Sequence, residues 1–219
     1  MNMSSLIDHT LLKPDALGSD IQKLCEEAAE WKFASVCVNS CHAADAVRML
    51  SGTGIAVCVV VGFPLGACAS EVKAFEAGYA EKCGASEVDM VLNISWLKDG
   101  LYNKVYDDIF SVVSAAPKCA VKVIIETCLL TNDEIIKACE IAKSAGAHFV
   151  KTSTGFSKGG AKAEDVALMR SVVGIDFGVK ASGGIRDFKT AEEMVKAGAN
   201  RLGTSQSVSL CKSAVCDLG

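Results

Sequence analysis

"AGAHFVKTSTGF" (residues 145–156) contains the pattern on which the whole chain is built. Gly146 follows a helical stretch and suits the left-handed residue that closes a helix. "HFVKTS" (148–153) reads as a strand covered on both faces, and Gly155 lets the chain turn sharply out of it. The same helix-ending signature returns in "CGASEV" (83–88) and "AGANRL" (197–202), a weak internal repeat of one helix–strand unit. In the middle of the quoted strand stands Lys151. A buried cation is costly unless it is paired or loses its proton, so this lysine asks for a reason.

Working outward, further apolar runs punctuate the chain: 5–9, 35–39, 56–63, 87–93, 121–127, 177–182 and 200–205. Most are continuous rather than alternating, as expected of parallel strands buried on both sides. Helical patterns separate them. Ser70 is placed to cap "EVKAFEAGYAEKC", and Thr131 with Glu134 makes a capping box for "NDEIIKACEIAKSA". Eight strands with helical crossovers predict a closed (β/α)8 TIM barrel of the α/β class, one domain over 1–219. An open doubly wound sheet is the alternative, and the absence of an early G-x-G-x-x-G counts against it.

Composition bounds the function. Of 219 residues half are apolar and only 6% aromatic, so the core is aliphatic. A net charge of −4, with 22 basic and 26 acidic residues, argues against nucleic acid or an acidic membrane surface as partner. "MNMSSLIDHT" lacks the basic and apolar regions of a signal peptide. The longest apolar run, "IAVCVVVGF" (55–63), is far short of the ~20 residues of a membrane span. The eleven cysteines are odd in number, spread through apolar patterns and contain no C-x-x-C, which fits a reducing cytoplasm. Cys37, Cys41 and His42 are poorly spaced for a metal.

In a barrel, function sits at the carboxyl ends of the strands. The polar residues near those ends are Asp8, Asn39, Asp89, Asn93, Lys122, Glu126, Lys151, Lys180 and Ser205. Period two puts Asp89 with Asn93 on one strand face and Lys122 with Glu126 on the next. Lys151 and Lys180 hold comparable places in successive strands, ~4.8 Å apart. Two ammonium groups in a dry site repel, and a neutral amine is the nucleophile that forms a Schiff base with a carbonyl carbon. Asp89 is placed to move protons in that chemistry. The plainer alternative is a buried salt-bridge layer, above all for Lys122 with Glu126. His9 is read as polar support for the site, and Cys37 as a thiol facing it. The glycines of "STGF", "SGGIR" and "GTS" gather at one rim, where backbone N–H groups bind phosphate.

At these residues the chain resembles the deoxyribose-phosphate aldolases, a class I aldolase family. The resemblance runs through "IDHTLLKPDA" (7–16), "VVGFPLGA" (60–67), "EVDMVLNI" (87–94), "VKVIIETCLL" (121–130), "FVKTSTGF" (149–156), "GVKASGGIR" (178–186) and "RLGTS" (201–205). It implies a (β/α)8 barrel needing no metal or organic cofactor. It also implies reversible cleavage of 2-deoxy-D-ribose 5-phosphate to D-glyceraldehyde 3-phosphate and acetaldehyde. Lys151 falls on the family's Schiff-base lysine, Lys180 on its second lysine and Asp89 on its relay aspartate. Asp8, Thr10 and Cys37 match pocket positions, and Lys122 a lysine near the relay. Gly155, Gly183, Gly184, Gly203 and Ser205 match the phosphate rim. The partner implied is a small phosphosugar, and the family is often dimeric. Gln206 after Ser205 and Lys162 depart from the usual residues, and the end "CKSAVCDLG" lacks the terminal tyrosine that some members use. Two other readings keep the same pocket: a phosphate-binding barrel enzyme that forms no covalent adduct, and a sugar-phosphate sensor that does not turn over.

Overall fold

The computed structural model describes the backbone of residues 3–216 and the side chains of residues 3–213. The reading of the chain's last residues, 217–219, lies outside the described residues. The strands are β1 (Ile7–Leu11), β2 (Ser35–Val38), β3 (Ala56–Val61), β4 (Glu87–Val91), β5 (Ala120–Ile124), β6 (Phe149–Lys151), β7 (Gly178–Ser182) and β8 (Arg201–Thr204). Each pairs in parallel with the next, and β8 returns to β1 with Asp8 opposite Gly203. This is the (β/α)8 barrel expected from the sequence.

The crossovers are α1 (Gly18–Trp31), α2 (Ala43–Met49), α3 (Ser70–Lys82), α4 (Ile94–Lys98), α5 (Tyr102–Ala115), α6 (Asn132–Ser144), α7 (Ala163–Val173) and α8 (Phe188–Lys196), with α9 (Ser207–Cys216) after the last strand. Among the described residues no helix is long and apolar enough to cross a membrane.

Each strand sorts its side chains into two rows. Val36, Val38, Val57, Val59, Val88, Met90, Val121 and Val123 face outward and pack on Ile21, Leu24, Ala77, Ala80, Ile109, Val112 and Ile135 of the helices. That strand–helix layer is the main core, each Val, Leu, Ile or Met side chain in it contributing about 1.5–3 kcal/mol by burial. Inside the barrel Cys37, Cys58 and Val60, with Leu12, form a small apolar cluster. Other inward positions (Asp8, Glu87, Asp89, Lys122, Lys151, Lys180 and Arg201) carry charge beside the apolar Val91, Ile124 and Phe149.

Local signals are mostly obeyed. Gly84, Gly146 and Gly198, the three helix-closing glycines, have φ of 97°, 85° and 115°. In α6 the Thr131–Glu134 capping box is closed in both directions, at 3.3 and 2.7 Å. Ser70 is a correction: it is the first helical residue after an Ala69 cap, and its hydroxyl donates to Asp108 Oδ1 instead (2.8 Å). Asp108 also holds Lys73 at 2.6 Å, both fully buried, and this ion pair ties α3 to α5. The first strand begins at Ile7 rather than Ser5, because Met3–Leu6 is a 3-10 turn.

Candidate active site

The register builds the site. Asp89 pairs with Lys122 across β4 and β5, and Lys151 with Lys180 across β6 and β7. All four side chains enter the barrel and are shut away from water, Lys151 being 3% exposed. Asp89 is the hub. Its Oδ2 accepts from Lys151 Nζ and from Lys180 Nζ, both at 2.7 Å, and its Oδ1 accepts from Lys122 Nζ at 2.8 Å. Cys58 Sγ also donates to Oδ1 (3.1 Å). Asp8 of β1 bonds Lys180 from the far side.

The charges follow from this geometry. Burial pushes the Asp89 carboxyl up, yet Lys122, Lys151 and Lys180 together hold it well below the usual carboxylate range. Asp8 behaves likewise under Lys180, Lys122 and Arg201. Burial alone drives Lys180 down, but Asp8 and Asp89 outweigh it and raise it above the usual range. Lys180 is therefore a fixed cation. Carboxylates face it on two sides, so the charge that acts on the neighbouring Lys151 stays in place.

Above the cluster opens a cavity of about 460 Å³ at the carboxyl-terminal face. Lys151 is at its floor, and Thr10, Gly155, Gly183, Gly184, Gly203 and Ser205 line it as expected. Gly155, Gly183 and Gly184 have φ of 83°, 84° and 80°, so their turns need glycine. A Cβ on Gly203 would lie 3.0 Å from Lys180 Cε, so its smallness makes room for that lysine. Asp8, Cys37 and Lys122 do not line the cavity; they lie buried within and beside the ion cluster.

Several expectations are relocated. Glu126 is not Lys122's partner. β5 ends at Ile124, so the two-residue alternation does not extend to Glu126, which takes φ 56°. Its carboxylate instead accepts from the Thr154 N–H and hydroxyl and braces the turn after β6. His9 alternates with Asp8 and so points outward, bonded to Ser207 Oγ and Glu27 Oε2 at 2.9 and 2.8 Å. Asn93 caps α4 by accepting from Trp96 N at 3.3 Å. Cys37 meets Cys58 rather than Cys41, which is exposed.

Sequence reasoning missed Glu87, Arg201 and Cys58 in the cluster, and Phe156 and Arg186 at the cavity, whose wall Gln206 joins beside Ser205. Period two, counted back from Asp89 and Gly203, points to Glu87 and Arg201.

Fold and site together define a barrel enzyme of the lysine-bearing aldolase class. The model of the DeoC/LacD family aldolases matches residues 3–207. A deoxyribose-phosphate aldolase of Clostridium tetani is 58% identical over 211 residues, 96% of this chain and 98% of that one. One of Caldanaerobacter subterraneus is 58% identical over 213 residues, 96% of this chain and 92% of its own. A solved structure described as a tetrameric deoxyribose phosphate aldolase from Aeropyrum pernix superposes with a TM-score of 0.90. It is 34% identical and covers 96% of this chain and 90% of that one. The chain belongs to the DeoC/LacD family of aldolases.

Proposed function

We propose that this aldolase works through an imine on Lys151, with Asp89 and Lys180 handling protons and the glycine rim holding phosphate. The reaction is the reversible cleavage of 2-deoxy-D-ribose 5-phosphate to D-glyceraldehyde 3-phosphate and acetaldehyde, the activity for which its full-length relatives are named. The observation carrying the residue assignment is that Lys151 and Lys180 share one oxygen of Asp89, with only Lys151 reaching the cavity.

The amine of Lys151 attacks C1 of the open-chain sugar, and water leaves the carbinolamine to give a protonated imine. Loss of the C3 hydroxyl proton breaks the C2–C3 bond. C3 departs as the aldehyde carbon of glyceraldehyde 3-phosphate, and the bond's electron pair forms the enamine and neutralises its nitrogen. Protonation at C2 restores the imine, and hydrolysis frees acetaldehyde and Lys151. Asp89 relays protons rather than storing them, because its lysines keep it a carboxylate. Lys180, held charged by Asp8 and Asp89, supplies a fixed positive field beside the nitrogen.

Thr10, Ser205 and Gln206 with Gly155, Gly183, Gly184 and Gly203 are the proposed phosphate end, supported by their common place on the cavity wall. Asp8, Cys37 and Lys122 act from beneath, through the amines and Asp89. The proposal extends to one catalytic domain over 1–219 and to a homodimer in the cytoplasm. Ten free cysteines among the described residues support a reducing compartment.

The test is incubation with 2-deoxyribose 5-phosphate and sodium borohydride, followed by peptide mass spectrometry. A reduced adduct on Lys151 is expected. Turnover with no lysine trapped would refute the imine.

A further inference from the structure

The ion cluster closes into a ring. Arg201 Nη1 bonds Asp8 Oδ1 at 2.7 Å, and Asp8 bonds Lys180. Lys180 bonds Asp89, which bonds Lys122, whose Nζ lies 2.6 Å from Glu87 Oε2. Glu87 Oε1 returns to Arg201 Nη1 at 3.1 Å. Arg201 is on β8 and Glu87 on β4, so this last link spans the full width of the barrel. Both are the first residues of their strands, at the end away from the cavity, and neither lines it.

We propose that Arg201 and Glu87 are positioning residues that keep this ring charge-balanced, and thereby set the pH at which Lys151 becomes a reactive amine. The inference rests on the imine assignment made above. Three cations (Arg201, Lys180, Lys122) face three carboxylates (Asp8, Asp89, Glu87), so the ring sums to zero without Lys151. A protonated Lys151 shares Asp89 with Lys122 and Lys180 and brings the whole cluster to one net positive charge. Buried net charge is disfavoured, so the charge carried by the ring bears directly on that proton.

The floor is built to hold the arrangement. The Arg201 guanidinium lies over the Phe149 ring, 5.5 Å from its centre. Phe149 can occupy that place only because residue 178 is glycine, where a Cβ would fall 2.1 Å from the ring. Arg201 is raised further above its usual range: burial opposes the charge, but Asp8 and Glu87 prevail. Two thiols also border the cluster. Cys58 is pushed well above the ordinary thiol range by burial and stays neutral. Cys37 is drawn below that range, chiefly by its hydrogen bond with Cys58, and is the remaining group there that can add negative charge. Above Lys151, Lys13 and Arg186 line the cavity, and Glu126 is held aside by Thr154.

The two floor residues make opposite predictions. Arg201→Met leaves the ring at −1, so a protonated Lys151 becomes its counter-ion. Glu87→Gln leaves it at +1, which disfavours that proton more strongly. The experiment measures kcat/KM for 2-deoxyribose 5-phosphate cleavage, and the rate of borohydride trapping at Lys151, from pH 5 to 10. For Arg201→Met the acidic limb of both profiles moves up by about one to two pH units, the effect of one unit charge about 6–12 Å away at an effective dielectric of about 20. For Glu87→Gln it moves down by a similar amount. Arg201→Lys and the double variant Arg201→Met/Glu87→Gln return it close to the unmodified enzyme.

Profiles that stay in place while activity falls, or that move the same way in both single variants, overturn the proposal and leave the pair a purely structural role. Should Arg201→Met not fold, Glu87→Gln and Arg201→Lys carry the same test, since one must shift and the other must not. Failure of the underlying imine is a different result: the unmodified enzyme would then yield no adduct at Lys151 at any pH.

Discussion

Replacing Lys180 by leucine removes the fixed cation next to the reacting amine while leaving an apolar side chain of similar bulk. Lys151 and Lys180 each sit 2.7 Å from the same Asp89 oxygen, so their nitrogens are at most 5.4 Å apart. At an effective dielectric of about 20, two unit charges at that distance repel by about 3 kcal/mol, the equivalent of about two pH units. Without Lys180 that repulsion disappears, Asp89 and Asp8 are left with fewer cations, and a proton on Lys151 is better tolerated. The acidic limb of the kcat/KM–pH profile is therefore expected to rise by about two pH units, with roughly a hundredfold loss at pH 7. The assay follows glyceraldehyde 3-phosphate release from pH 5 to 10, with circular dichroism to establish folding. Where turnover is too slow to follow, the pH dependence of borohydride trapping at Lys151 gives the same limb. A folded Lys180→Leu protein whose limb has not moved would refute the electrostatic coupling.

Lys151→Arg keeps a cation opposite Asp89 but offers no nucleophile; turnover and adduct should vanish while the melting temperature stays within a few degrees. Asp8 and Asp89 are both held below the usual carboxylate range, so the stability they confer is complete above about pH 4, where their unfolded counterparts are ionised. It should be lost as pH falls further toward the folded values, which urea unfolding between pH 2 and 7 would read as a plateau followed by a steep decline. Lys73→Met strands the fully buried Asp108 carboxylate and should cost about 3–5 kcal/mol in chemical denaturation, most of it recovered by adding Asp108→Leu. Gly178→Ala drives a methyl into Phe149 and should destabilise by about 1–3 kcal/mol or more; Phe149→Ala in the same chain should restore part of the loss.

Much of the barrel was legible in the chain. Continuous Val, Ile and Ala runs, helix-closing glycines at regular places and the Thr131–Glu134 box are local signals, and each acts within a few residues of where it is read. Ser70 misled because its hydroxyl has two uses, and the Asp108 carboxylate on α5 offered the better partner. Glu126 misled because alternation predicts a face only while the strand lasts, and β5 stops two residues earlier.

The sequence by itself determined the eight-strand pattern, the lysine placed in a buried strand, the glycine rim and the family. It determined them because periodicity, turn chemistry and motif order are properties of neighbouring residues. The partners of the charges were decided only by tertiary structure. Asp8, Glu87, Lys122 and Arg201 come from β1, β4, β5 and β8, and closure of the barrel turns their inward side chains toward one axis. Whether a buried lysine is a fixed cation or a nucleophile depends on how many carboxylates surround it, and that number is set by positions far apart in the chain.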